Sequence, residues 1–166
     1  MKYLLTYLIT LILSPFTLSD YHPSYCTVEN YLFTFIKDNE TYKVHGLWPE
    51  ACKECRTCNY PTCCNNNVTF TEPHDPTNFI KNNWYQSLAH NNCNVCSVSK
   101  YIPLFEHEFY THGTCMNIRN TTTYLNVVKS LYEKFNDLIV NNSCGNYHYM
   151  MLHLNNNMNF VKTICM

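Results

Sequence analysis

At 166 residues and 46% hydrophobic content, the chain has the apolar material for one core and falls outside the disordered class. A formal charge of −1 excludes the permanently basic surface that grips long nucleic acids, although protonating all eight histidines would carry it to +7. No internal repeat and no second domain is visible. Lys2, the apolar residues 3–13 and then Ser14, Pro15 and Ser19 have the layout of a secretory signal peptide, and the run is too short for a comfortable membrane span. Residues 1–19 are read as that leader, with its boundary open by a few residues, and 20–166 as a single domain; a buried first strand is the competing reading. Residues 31–36 and 42–46, aromatic and β-branched, predict two strands joined by a turn at Asp38-Asn39-Glu40, with His45 at a strand end. Residues 51–74, crowded with cysteine, proline and asparagine, predict a loop.

Asp75-Pro76 predicts a helix start, and a helix from there to about Ala89 would turn Phe79, Ile80, Trp84 and Leu88 inward. Residues 107–112 predict a second helix, which stacks Glu108 under His112 and His107 under Thr111, with Gly113 at its end. Residues 122–140 predict the clearest amphipathic helix, with Leu125, Val128, Leu131, Phe135, Leu138 and Ile139 on one side. Residues 147–154 and 160–165 predict two closing strands. Helices mixed with an antiparallel sheet make the expected fold class α+β.

Eleven cysteines suit an oxidising compartment, as do the sequons at Asn39, Asn67, Asn120 and Asn141, although an asparagine-rich chain produces sequons by chance. The odd count requires a free thiol, an intermolecular bridge or a metal. Cys55-x2-Cys58 and Cys93-x2-Cys96 have zinc-ribbon spacing, against which stands the reading of extra disulfides in an insertion. Either way the cluster is scaffold, and neither a cofactor nor a metal is assigned.

The chemistry is concentrated in two segments, Val44-His45-Gly46-Leu47-Trp48-Pro49-Glu50 and Glu106-His107-Glu108-Phe109-Tyr110-Thr111-His112-Gly113-Thr114-Cys115. RNA carries its own nucleophile, the 2′-hydroxyl. Cleavage therefore needs one neutral imidazole to take that proton, one protonated imidazole to supply the leaving 5′ oxygen, and charge neutralisation between them. Two histidines and a carboxylate are a sufficient kit. A lone histidine is more often a satisfied polar residue, but here both segments occur together, about sixty residues apart.

These segments resemble the two active-site motifs of the ribonuclease T2 family, HGLWP and HEWxKHGTC. The first matches fully, and the second departs at Phe109 for Trp and Thr111 for Lys. The resemblance extends to the Tyr-Pro-x-x-Cys segment from Tyr60 to Cys64, and to Phe16 through Cys26, which looks like the family's first strand and turn. It implies a ribonuclease T2-like, disulfide-rich antiparallel sheet flanked by helices. It also implies a secreted or endolysosomal endoribonuclease, monomeric and off the membrane when mature, that cleaves single-stranded RNA through a 2′,3′-cyclic phosphate to a 3′-phosphate without metal. By the same resemblance His112 is the general base, His45 the general acid, His107 a phosphate ligand and Glu108 the group that polarises the site. Trp48 would stack a base, and Glu50 and Tyr60 are weaker candidates for base edges. Cys64 (or Cys63) would pair with Cys115, and Cys144 with Cys165.

Thr111 replaces a permanent cation by a neutral hydroxyl, and losing one such donor typically costs roughly 10²- to 10³-fold. Lys100 and Arg119 are candidates to stand in for it. The expectation is a weakened enzyme, and Phe109 for Trp is mostly a loss of packing volume. Two rivals remain: a catalytically impaired RNA-binding or host-interacting secreted homologue, and a zinc-stabilised interaction module.

Overall fold

The computed structural model describes residues 28–51, 62–64, 67–90, 101–141 and 144–166. Residues 1–19, read above as a leader, and Tyr60, Lys100, Cys26, Cys52, Cys55, Cys58, Cys93 and Cys96 lie outside the described residues. Four strands, β1 (Val28–Asp38), β2 (Thr41–Ala51), β5 (Tyr149–Asn155) and β6 (Phe160–Cys165), form one antiparallel sheet in the order β2-β1-β5-β6. Asn39, with φ 54°, makes the tight turn between the first two. The sheet is the one the aromatic and β-branched runs predict, although β1 and β2 both extend further.

β1 is central and buried on both faces. Tyr31, Phe33 and Phe35 enter the main core with Val44, Leu47, Met150, Leu152 and Leu154, while Leu32, Thr34 and Ile36 are buried on the opposite face. That two-sided burial explains why its sequence reads as a nearly continuous apolar run. The main core is shared by α3 (Thr121–Asn141), whose Leu125, Val128, Leu131, Phe135 and Ile139 recur at helical spacing. Asn120 Oδ1 accepts the Thr123 amide and so caps that helix.

The helix expected from Asp75 is much shorter. Asp75 Oδ1 and Oδ2 accept the amides of Phe79 and Ile80, but α1 spans only Phe79–Asn83. It stops because Trp84 turns extended (φ −89°, ψ 143°) to bridge Val44 of β2, and Tyr85 donates its amide to the Val44 carbonyl. Long-range pairing overrides local helical spacing here. Trp84 is buried as expected. Leu88 instead lies 68% exposed in β3 (Leu88–His90), which pairs with β4 (Tyr101–Pro103) in a small second sheet that the sequence did not predict.

β4 leads directly into α2 (Leu104–Thr111), which carries the second motif. α2 ends one residue before the expected stop: His112 is its C-cap, and Gly113–Met116 form a 3-10 turn that closes at Asn117 with φ 58°. Gly113 is needed for close approach, since a Cβ there would lie 3.0 Å from the Tyr124 ring. Disulfides join Cys64 to Cys115 and Cys144 to Cys165, so of the two partners left open for Cys115 the structure has Cys64. Closing such loops stabilises a fold by roughly 3–4 kcal/mol each in the chain-entropy account.

Substitution at the two leucines separates the observed α1 boundary from the longer helix. Leu152→Ala, fully buried, should cost roughly 2–5 kcal/mol in urea unfolding. Leu88→Ala should stay within about 0.5 kcal/mol of wild type, whereas an inward helical position would cost several times more.

Candidate active site

The first motif reaches the site through a β-bulge. Thr34 of β1 pairs with Gly46 and Phe35 pairs with Val44, which leaves His45 as the extra residue of β2. A bulge re-aims the side chain at the inserted position. His45 therefore sits inside a long strand and not at a strand end, and the bulge, not a terminus, directs it. Thr34 holds the irregularity in place: its buried hydroxyl accepts the Gly46 amide at 3.1 Å and donates to the Gly46 carbonyl at 2.9 Å.

The second motif meets it from α2. His45 Nε2 lies 3.3 Å from Glu108 Oε1, and Trp48 Nε1 donates to Glu108 Oε2 at 2.8 Å. Gly46 lies between these partners, and a Cβ on it would fall on Glu108 Oε2. The Trp48 indole stands edge-on to His45, with centroids 5.1 Å apart, and tilted against His112 at 5.3 Å. One indole thus flanks both imidazoles. His112 is buried at the end of α2, and its amide donates to the Glu108 carbonyl. His107 sits one turn before Thr111, with Nε2 3.5 Å from the threonine hydroxyl.

Burial sets the charges. Glu108 is fully enclosed, which pushes its pKa up to about 8 against the pull of the Trp48 hydrogen bond. Burial, with His107 nearby, lowers His45 to about 4. A 3.3 Å contact looks like an ion pair, but both shifts favour the neutral partners. Desolvation of a fully enclosed carboxyl outweighs one imidazole, so between about pH 4 and 8 the contact is a hydrogen bond between neutral groups. His107 is lowered by burial and by His90, and raised by a hydrogen bond to the His90 backbone.

The remaining predicted residues are placed differently. Glu50 shares a sheet face with Trp48 but pairs with His153 of β5, Oε2 to Nε2 at 3.0 Å. Phe109 is wholly buried beside Tyr124 and Phe70, so it serves the core. Thr111 is buried, and its carbonyl accepts the Cys63 amide. Arg119 is exposed in the loop after the 3-10 turn. Among the described residues, no group of three or more His, Cys, Asp or Glu side chains is placed to hold a metal ion. Also among them, no helix is long and apolar enough to cross a membrane. Sequence reasoning missed Thr34, Tyr124, whose hydroxyl accepts the Leu47 amide at 3.4 Å, and His153. A local motif offers no signal for partners that arrive from other elements.

His45 lies against the buried Glu108 carboxyl and His112 against the Trp48 indole, on an α+β frame with an antiparallel sheet. The chain matches the Ribonuclease T2 family model over residues 15–164, most of its length, and belongs to that family. No curated protein and no solved structure gave a match. Membership supports an endoribonuclease activity with RNA as substrate.

Two outcomes test the enclosure of Glu108. Below about pH 4.5 the carboxyl is protonated folded and unfolded; between there and about 8 only the unfolded chain loses the proton, so stability falls as pH rises. His45 acts oppositely between about 4 and 6.5, which leaves a net fall from 6.5 to 8. The urea midpoint of wild type should decline across that upper window, and Glu108→Gln should flatten it. Gly46→Ala should destabilise by roughly 1–3 kcal/mol through overpacking, and by clearly less when combined with Glu108→Ala.

Proposed function

We propose that the chain is a metal-independent endoribonuclease that cleaves single-stranded RNA by transphosphorylation, giving a 2′,3′-cyclic phosphate and then a 3′-phosphate. The observation that carries this reading is the Trp48 indole flanked by His45 and His112, with its nitrogen on the Glu108 carboxyl. His112 removes the 2′-hydroxyl proton, His45 supplies a proton to the departing 5′ oxygen, and His107 holds the phosphate. Each proton transfer contributes typically 10²- to 10⁴-fold.

The charge states support an acidic working range. Because Glu108 Oε2 accepts from Trp48, the carboxyl proton belongs on Oε1, beside His45 Nε2. Glu108 then stores a proton next to the imidazole that must give one up. A bound phosphate anion favours the protonated imidazole, which offsets the burial that lowers His45. Trp48 is the proposed base-stacking residue, and Tyr60 and Glu50 belong to the same proposed base subsite. The leader, secretion or an endolysosomal location, and a monomeric state free of membrane belong to this reading as well.

A second reading has one observation in its favour. Thr111 directs its hydroxyl toward His107 where the family has a lysine, so a fold retained for RNA binding or host interaction with catalysis lost is the rival. Cleavage of a dinucleotide or poly-ribonucleotide between pH 4 and 8, with EDTA present, decides between them. The expected result is EDTA-resistant activity with an acidic optimum, lowered by roughly 10²- to 10⁴-fold in His112→Ala. Thr111→Lys should raise it by up to roughly 10²- to 10³-fold. Silence in both wild type and Thr111→Lys would sink the enzyme in favour of the binding protein.

A further inference from the structure

The position where the family carries its lysine has an imidazole beside it, and a second histidine lies beside that one. His107 Nε2 reaches the Thr111 hydroxyl from one turn earlier on α2. β3 packs beside α2, and its last residue, His90, is hydrogen-bonded through its backbone to the His107 ring. The His90 ring stacks edge-on against Tyr101, its cross-strand partner on β4, at 5.4 Å. The two-residue contact fixes the direction of the His90 side chain. His90 lies close enough to oppose protonation of His107, and His107 acts likewise on His45. Three histidines from three elements therefore share one electrostatic neighbourhood. With no anion present this repulsion works against charging His45 and His107, and a phosphate among them reverses that sign.

We propose that His90 and His107, in their protonated forms, together take the place of the missing lysine and hold the scissile phosphate by a charge that exists only in acidic surroundings. This rests on the ribonuclease reading. It adds a residue outside both motifs, and it puts part of the pH dependence into substrate affinity. The titratable groups that act on His107 or feel its charge are His90 from β3, stacked on Tyr101 of β4, and His45 from β2; Glu106 and Glu108 share its helix, and His112 caps that helix. Glu108 is uncharged up to about pH 8. Burial and the nearby Glu72 also push Glu106 toward its neutral form. Glu108 is therefore not disposed to neutralise the histidines, and the substrate phosphate is. The Thr111 hydroxyl carries no charge, and His107 Nε2 lies 3.5 Å from it.

The test is equilibrium binding of a 2′-deoxy dinucleotide, which lacks the nucleophile and is not cleaved, at pH 5 and pH 7.5. KM and kcat on the ribose form are measured alongside. Wild type should bind up to about tenfold more tightly at pH 5, the most that one proton whose pKa rises by a unit on binding can contribute. His90→Gln should lose most of that difference, with KM raised at pH 5 and kcat little changed. His90→Lys should bind similarly at both pH values, as should Thr111→Lys, whose gain over wild type should be greatest at pH 7.5. An unchanged pH dependence of binding in His90→Gln, or none in wild type, overturns the proposal even if cleavage proceeds. Absent cleavage with the expected binding pattern overturns the ribonuclease reading and leaves the phosphate site standing.

Discussion

The carboxyl of Glu108 is the point at which two distant segments of the chain meet. One oxygen faces His45 and the other accepts the Trp48 indole, so a single side chain on α2 positions two residues of β2. The contact is made inside the protein, where neither oxygen can turn to water for a substitute partner, and this makes its geometry exacting. The bulge at His45, the missing side chain at Gly46 and the core position of Phe109 all follow from bringing that carboxyl against the strand.

Around this contact, stability and chemistry pull in different directions. A fully enclosed glutamate is an expensive choice for a core, and an apolar residue of like volume would suit folding better. Its retention beside a histidine whose own charge is disfavoured gives the fold a pair of groups that hold protons differently from the solvent-exposed forms. The surrounding framework is correspondingly stiff. Tyr124 supports Leu47, Thr34 supports Gly46, and the Cys64–Cys115 bridge anchors the 3-10 turn that follows His112.

The sequence revealed most where local spacing governs. The strands on either side of Asn39, the long amphipathic helix, and the placement of Glu108 one turn before His112 all follow from short-range periodicity. It misled where a distant partner decides. Nothing near Leu88 announces that Trp84 will leave the helix to bridge Val44, because the competing strand lies forty residues earlier. The bulge at His45 was equally hidden, since it is a mismatch of register between two strands and neither strand alone encodes it. Gly113 shows a subtler case: its residue type was read correctly as constrained, but the constraint is the Tyr124 ring and not a helix stop.

The close approach of Gly46 to Glu108 gives the site a direction of decay. Glycine at 46 acquires a side chain most cheaply after the carboxyl at 108 has been shortened or lost, because the volume a Cβ needs is occupied by Oε2. Once position 46 has been filled, restoring glutamate at 108 would meet the new methyl group. Loss therefore proceeds most easily in two single steps in one order, and recovery most easily retraces them in reverse. The pair behaves as a historical ratchet, and a lineage that still has glycine at 46 has not yet passed its tooth.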